Sequence, residues 1–401
     1  MSGAKTLMLI CGEPSGDALG GQLMAALKDL AGGSLTITGV GGEAMKAQGL
    51  EPLFGLDATS VTGLQEVVSH IPEILRRVKR AADYAVATRP DAVVLIDSPD
   101  FTHRIAQRIK RLAPDLATIN YVAPQVWATR AYRARKMARY FDLVLALLPF
   151  EPPFFAGYGL KAVFVGHPAL ERGKKMTGGE AFRVRHAIPA GAPLLAVLPG
   201  SRGNEVKYLL PVFAETVRLL AARIPGLHTV IPVVPHVAAR VREGVKDWPA
   251  PLTLIAGEAE KFAAFDAADA ALAASGTVTT ELALAKTPMV VAYILGTLTA
   301  LIYRPLIRVK YYTLVNLILD RLAVPELMQG DCRPDLLAGA VAPLLTDPAA
   351  AAAQTADLET ALALMGAGAE SPSRRAAQAI LDFLAERACG NPAVDGAPSR
   401  P

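Results

Sequence analysis

Residues 5–30, KTLMLICGEPSGDALGGQLMAALKDL, decide the fold. An apolar run of strand length stops at a turn rich in glycine, and apolar positions then recur at helical spacing. The same order returns in residues 193–226, PLLAVLPGSRGNEVKYLLPVFAETVRLLAARIPG. Further strand patterns follow each opening: DAVVLIDSPD, ATINYVAP, DLVLALLPF and KAVFVGHP in the first half, HTVIPVV, PLTLIAGE, DAALAAS and TPMVVAY in the second. Continuous apolar runs alternating with helical patterns indicate parallel strands buried on both faces and joined by crossover helices. The expected fold class is α/β, two Rossmann-like domains facing across a cleft.

The changeover is expected between Pro168 and Pro193, where ALERGKKMTGGE and AIPAGAP are polar or rich in Gly and Pro. The expected domains are residues 1–170 and 190–345, then a C-terminal helical segment, 346–390, and a disordered tail, 391–401.

With 52% hydrophobic and 19% charged residues, the chain is not disordered over most of its length. Its formal net charge of +4 suits an anionic partner but is too small to point to nucleic acid, and none is expected. Cys11, Cys332 and Cys389 form no CxxC pair, a sparse and odd count that fits a reducing compartment. The apolar run before Gly12 is too short for a secretory signal, so the start reads as a mature cytoplasmic terminus. The longest uncharged stretch, 287–303, would span roughly 25 Å as a helix against a hydrocarbon core of roughly 30 Å. Pro288 and Gly296 interrupt it, and no transmembrane helix is expected.

Four turns carry chemical content. Gly12-Glu13-Pro14-Ser15-Gly16-Asp17 puts backbone N–H groups at a helix start, a site for an anion or a polar sugar with Ser15 or Asp17 as cap. A tight packing turn is the alternative. Its glycines are not spaced GxGxxG and no GK[ST] follows, which weakens the dinucleotide and Walker readings. In Leu198-Pro199-Gly200-Ser201-Arg202-Gly203-Asn204-Glu205, the planar fork of Arg202 suits a diphosphate, unless it serves a surface ion pair. Ser275, Gly276 and Thr277 form another small-residue turn opening a helix, an anion cradle. Glu281, one turn further, is placed to accept both hydroxyls of a ribose or to act as a charge near the positive end of the helix dipole. Asp97, in VLIDSPDF, ends an apolar strand where open α/β sheets bind ligands, and is the expected general base; capping the next helix is the alternative.

His167 either lines the domain junction or is a satisfied core residue. No histidine pair has metal-ligand spacing, so no metal and no cofactor are expected, and no GxSxG elbow is present. Leu64, Val67, Val68, Ile71, Ile74, Leu75 and Val78 recur at helical spacing, followed by Arg76, Arg77, Lys79 and Arg80. A core helix explains the stripe, whereas a membrane-surface helix explains both the stripe and the charges.

Taken together, CGEPSGDALGGQLMAAL, VLIDSPDF, YVAPQVWATR, LALLPFEPPFF, FVGHP, LPGSRGNEV, AASGTVTTELALAKTPMVVAY and VPELMQ resemble the lipid-A-disaccharide synthases, inverting glycosyltransferases of the GT-B fold. The resemblance runs from Cys11 to Gln329. It implies that UDP-2,3-diacylglucosamine and 2,3-diacylglucosamine 1-phosphate are the substrates, and that a β(1→6) disaccharide 1-phosphate and UDP are the products. By resemblance Asp97 is the base, Arg202 with Ser201 holds the diphosphate, Glu281 holds the ribose and Asn316 helps to bind UDP. Acylated substrates imply peripheral association with the inner membrane from the cytoplasm. That makes Val67, Val68, Ile71, Ile74 and Leu75 the expected contact, with Tyr208 a neighbour. Family members form homodimers by exchanging C-terminal segments, which makes the helix expected over residues 373–388 a candidate for exchange. Other readings are a transferase or epimerase acting on another UDP-sugar, a non-catalytic UDP-lipid binder, and an NAD-dependent oxidoreductase, the last disfavoured by the glycine spacing.

Overall fold

The computed structural model describes residues 5–32, 35–56, 64–129, 131–294 and 310–389, with backbone alone at 64–71, 129 and 174. The chain divides into two compact units. Unit 1 holds Met1–Pro168 and the C-terminal stretch from Ala369, and unit 2 holds Ala169–Gly368.

Unit 1 is a six-stranded sheet of β1 (Lys5–Cys11), β2 (Leu35–Val40), β3 (Ala92–Ile96), β4 (Thr118–Tyr121), β5 (Leu143–Ala146) and β6 (Ala162–Phe164). Its order is β2-β1-β3-β4-β5-β6 and every pairing is parallel. The intervening helices are α1 (Pro14–Ala31), α2 (Glu43–Ala47), α3 (Leu64–Thr88), α4 (Pro99–Leu112), α5 (Val126–Thr129), α6 (Tyr132–Met137) and α7 (Glu151–Ala156). Side chains alternate across a strand, so β1 feeds two cores. Met8 and Ile10 pack with Val78, Ala82, Ile105 and Ile109 of α3 and α4. Leu7 and Leu9 pack with Leu23, Met24 and Leu27 of α1. Burial on both faces is why the strand sequences read as unbroken apolar runs.

Unit 2 repeats the plan with β7 (Leu194–Leu198), β8 (His228–Pro232), β9 (Leu252–Ile255), β10 (Ala270–Ala274), β11 (Met289–Tyr293) and β12 (Glu326–Met328), in the order β12-β11-β10-β7-β8-β9. Its helices are α8 (Gly179–Arg185), α9 (Gly203–Ala221), α10 (Ala238–Gly244), α11 (Glu258–Ala267), α12 (Val278–Leu284), α13 (Leu314–Leu319), α14 (Pro334–Thr346) and α15 (Pro348–Leu364). The last helix, α16 (Pro372–Cys389), returns to unit 1, where Ala376, Ala377 and Ile380 cover the same sheet face as α1.

All the strand patterns quoted from the sequence become strands, and two more, β2 and β12, complete the sheets. The stretch between Pro168 and Pro193 is folded rather than a bare connection. Phe182 of α8 is buried in the unit 2 core, and Arg183 donates to the Ala267 carbonyl at 2.7 Å and to Asp269 at 2.9 Å. The stretch 346–390, expected as one helical segment, is divided: α15 stays with unit 2 and α16 joins unit 1. Among the described residues no single helix is long and apolar enough to cross a membrane. The apolar helices α14 and α15, bent by 96° to one another, give their buried faces to the core of unit 2.

Candidate active site

In each unit the strand order reverses once, between β1 and β3 in the first sheet and between β7 and β10 in the second. The helices that follow the two strands flanking a reversal leave on opposite faces and open a crevice at the carboxyl ends. Three of the four turns singled out in the sequence follow β1, β3 and β7, and the fourth follows β10.

In unit 1 the crevice brings Ser15 and Asp97 together. Ser15 Oγ donates to Asp97 Oδ2 at 3.1 Å, and the Ser98 backbone N–H donates to Asp97 Oδ1 at 2.8 Å. Asp97 and Ser98 both have left-handed backbone conformations, φ 53° and 45°. Two such residues in a row store strain, a feature concentrated at functional sites. The β1 turn closes tightly on this bend. A Cβ on Gly12 would lie 2.8 Å from Ser98 Cβ, and one on Gly16 would lie 3.0 Å from Cys11 Cβ. Asp97 is half-buried, and its carboxylate keeps lone pairs beyond those two bonds.

Asp17, an expected cap, serves a different helix from its own. Its carboxylate accepts from the backbone N–H groups of Gly42 at 2.6 Å, Ala44 at 2.8 Å and Met45 at 3.1 Å, so it caps α2. A second buried carboxylate, Glu151, ties two loops together. It accepts from Trp127 Nε1 at 3.1 Å and from the backbones of Leu147 and Leu148 at 2.9 and 3.0 Å. Burial pushes its pKa above the usual carboxylate range.

A hollow of about 390 Å³ opens beside the Asp97 bend, between α4 and α6. Asp100, His103, Arg104 and Gln107 line it from one face of α4, and Arg133 and Lys136 from α6. Burial lowers the pKa of His103 from 6.5 to about 4, so the imidazole is neutral near pH 7. Its Nδ1 meets Tyr140 Oη at 3.2 Å, while Nε2 is buried without a partner among the described residues, as is Ser98 Oγ.

In unit 2 the β7 turn is built around a residue the sequence did not mark. Glu205 is buried, and its Oε2 accepts from the backbone N–H groups of Ser201 at 3.0 Å and Arg202 at 3.1 Å. Its Oε1 holds Arg202 Nη1 at 2.9 Å. The carboxylate therefore fills the backbone cradle and fixes one arm of the guanidinium, whose side chain is still 80% exposed. Gly200, with φ 106°, makes room: a Cβ there would lie 2.5 Å from Glu205 Cβ. A glutamate three residues past a helix N-cap is the signal that marks this arrangement. Tyr293, at the end of β11, adjoins the pair, and burial followed by the nearby Glu205 charge pushes its phenol up.

Ser275, Gly276 and Thr277 follow β10, the strand paired with β7, and Gly276 and Thr277 are exposed. Glu281 is mostly buried and already paired, with Lys261 at 2.8 Å and Arg172 at 3.8 Å. Asn316 is fully buried and its amide is committed. Nδ2 donates to the Val324 carbonyl at 2.8 Å and to Glu326 at 2.9 Å, and Oδ1 accepts from Ala323 and Val324 at 2.8 Å. Glu326 in turn accepts from the backbones of Tyr312 and Thr313. Asn316, expected to help bind UDP, holds the turn after α13 directly and, through Glu326, the backbone ahead of it.

On α3, Leu75 is 47% exposed, whereas Ile74, expected on the same membrane face, is packed against the unit 1 core. Helical spacing turns neighbouring residues apart by about 100°, which separates the two. The side chains of Val67, Val68 and Ile71 lie outside the described residues, as do residues 391–401. Tyr208 is half-exposed on α9.

A family model described as lipid-A-disaccharide synthetase matches residues 7–380. The lipid-A-disaccharide synthase of Rhodospirillum centenum is 49% identical over 381 residues, covering 95% of this chain and 95% of that one. Among solved structures, an S. aureus MnaA–UDP co-structure has a TM-score of 0.60 at 13% identity, covering 96% of this chain and 97% of the other. The UDP-GlcNAc 2-epimerase of Neisseria meningitidis bound to UDP-GlcNAc has a TM-score of 0.59 at 14% identity, covering 95% and 100%. At these identities the solved structures speak to the fold alone.

Proposed function

The chain belongs to the lipid-A-disaccharide synthetase family, and from that membership we propose how its residues divide the work. It is a glycosyltransferase of lipid A biosynthesis. UDP-2,3-diacylglucosamine gives its sugar, with inversion, to the 6-hydroxyl of 2,3-diacylglucosamine 1-phosphate, and the products are the β(1→6) disaccharide 1-phosphate and UDP.

Asp97 takes the proton of the acceptor 6-hydroxyl as that oxygen attacks the anomeric carbon of the donor. The bond from that carbon to the diphosphate oxygen breaks on the opposite side, UDP leaves with the electron pair, and Asp97 later returns the proton to water. Ser15 orients the base. Support comes from the 3.1 Å bond between them and from the strained bend that presents the carboxylate at the strand-order reversal of unit 1.

Arg202 and Ser201, with Ser275, Gly276 and Thr277, receive the diphosphate. Charge on the leaving group grows as the bond breaks, and a guanidinium already fixed by Glu205 meets that charge without reorganising. Glu281 takes the ribose hydroxyls by exchanging one of its two cations, Lys261 or Arg172, for them. Asn316 supports the nucleotide site indirectly, through Glu326 and the turn at Tyr312 and Thr313.

Because both substrates are acylated, the enzyme works at a lipid surface. The proposed contact is α3, with exposed Leu75 as support, at the cytoplasmic face of the inner membrane. A homodimer by exchange of α16 belongs to the same proposal; its support is a helix at the chain's end whose apolar face covers a sheet made from the chain's beginning.

The observation that carries the division of roles is that the Asp97 and Arg202 turns each follow a strand flanking the reversal of its own sheet. The test is incubation with both substrates and mass analysis of the products. A disaccharide 1-phosphate with one UDP released per linkage is expected; release of UDP without the acceptor would overturn the assignment.

A further inference from the structure

Resting on that reading of the reaction, in which the acceptor carries a phosphate monoester, we propose that the basic hollow of unit 1 is the subsite for the acceptor's 1-phosphate. Arg104, Arg133 and Lys136 are its cationic ligands.

Position comes first. The hollow is lined from α4, the helix that starts two residues after Asp97, and from the loop that follows β4, the strand beside β3. Arg104 lies seven residues beyond Asp97, about 10 Å along a helix axis. An arginine side chain reaching back, together with the width of one sugar ring, bridges that span. A sugar with its 6-hydroxyl at Asp97 therefore has its anomeric phosphate within range of the hollow.

Charge comes second. Of the other α4 cations, Arg108 pairs with Asp83 at 2.8 Å and Lys110 with Asp142 at 2.8 Å, while Arg111 is exposed in the last turn, away from the hollow's lining. Among the described residues, Arg104, Arg133 and Lys136 meet no carboxylate. Three cations without a carboxylate partner, Lys136 lying 5.7 Å from the centre of the Tyr132 ring, come from two helices to one concavity, where Asp100 is the single carboxylate of the lining. Arg133 and Lys136 sit three apart, on one face of α6, so both can turn inward together.

Ligand chemistry comes third. Two arginine forks and an ammonium match a phosphate monoester, which presents three oxygens and close to two negative charges near pH 7. The Arg202 turn in unit 2 serves the donor's diphosphate and leaves the acceptor's charge to be met by unit 1. The headgroup of an anionic membrane lipid is also a phosphate, but a diester with a single charge. A recessed hollow of about 390 Å³ favours a compact sugar phosphate over a flat lipid surface.

The test replaces Arg104 and Arg133 together by Gln in the full chain and compares two acceptors, 2,3-diacylglucosamine with and without the 1-phosphate. The expected result is an acceptor KM raised about tenfold or more for the phosphorylated sugar, with donor KM and melting temperature unchanged. The preference for the phosphorylated acceptor should fall by the same factor, a change that a structural role would not produce. Lys136→Gln should give a smaller shift in the same direction. Unchanged acceptor preference in the double variant overturns the proposal. So does unchanged preference with lost sedimentation on phosphatidylglycerol vesicles, which would assign the hollow to the lipid surface. A second probe, glucosamine 1-phosphate followed by saturation-transfer NMR, separates the two readings. Binding that needs Arg104 and Arg133, in a chain that makes no disaccharide, would sink the reaction and keep the subsite.

Discussion

Ser15 Oγ donates to Asp97 Oδ2 at 3.1 Å, joining the turn after β1 to the bend after β3 across the strand-order reversal of unit 1. A serine in the turn between Gly12 and Gly16 thereby holds a carboxylate that lies far away in the chain. Asp97→Asn keeps the shape and tolerates the left-handed backbone but removes the base. The expected fall in kcat is about 10²- to 10⁴-fold, with donor KM and melting temperature nearly unchanged. Ser15→Ala should lower kcat less, by about tenfold. Steady-state kinetics on both variants decide the matter, and full activity in Asp97→Asn would remove this residue from the chemistry.

Gly200 and Glu205 are matched parts. Gly200→Ala brings a Cβ to 2.5 Å from Glu205 Cβ at φ 106°. The turn must open, at a cost of about 1–3 kcal/mol, and Arg202 loses its anchor. Donor KM should rise while acceptor KM stays constant. Arg202→Lys should also raise donor KM, because an ammonium keeps the charge and loses the fork.

Asn316 makes its bonds inside unit 2. Asn316→Ala leaves the Ala323 and Val324 N–H groups without their acceptor and should cost about 2–4 kcal/mol. Chemical unfolding is the measurement. A stable variant with a selectively raised donor KM would instead make the amide a direct nucleotide ligand.

His103 gives unit 1 a pH dependence of definite sign. Burial takes its pKa from 6.5 down to about 4. Between those values the unfolded chain binds the extra proton and the folded one does not, so stability is full above pH 6.5 and falls as the solution is acidified towards pH 4. In His103→Phe, thermal melts across this window should show a shallower acid decline than the parent.

The α3 surface predicts a lipid phenotype. Serine in place of Val68, Ile71 and Leu75 together should weaken sedimentation with anionic vesicles and increase solubility, leaving the melting temperature within a few degrees. A large fall in melting temperature would put the three side chains in the core.

How much of this was legible in the chain depends on how far apart the cooperating residues lie. The β1 and β7 turns were readable because a strand buried on both faces writes an unbroken apolar run, and the run's end marks the crevice. Asp97 was readable for the same reason. β2 was not, because LTITGV carries two threonines and a glycine, and β12 is only three residues long. Glu205 looks like any acid in a first helical turn until the turn is folded back onto it. The hollow was invisible because α4 and α6 supply its cations separately, each among other basic residues that serve ion pairs or face water. The resemblance makes Asn316 a UDP ligand, whereas its partners inside the fold, Val324 and Glu326, come from the next strand and its approach and cannot be read from the chain.

The way α16 completes unit 1 reverses the order of birth. The first sheet to leave the ribosome still has Leu7 and Leu9 short of part of their cover until Ala376–Leu384 emerges, whereas unit 2, drawn from one uninterrupted stretch, is complete earlier. The nascent enzyme therefore finishes its second half first. A chain truncated just before α16 should be sound in unit 2 and sticky in unit 1.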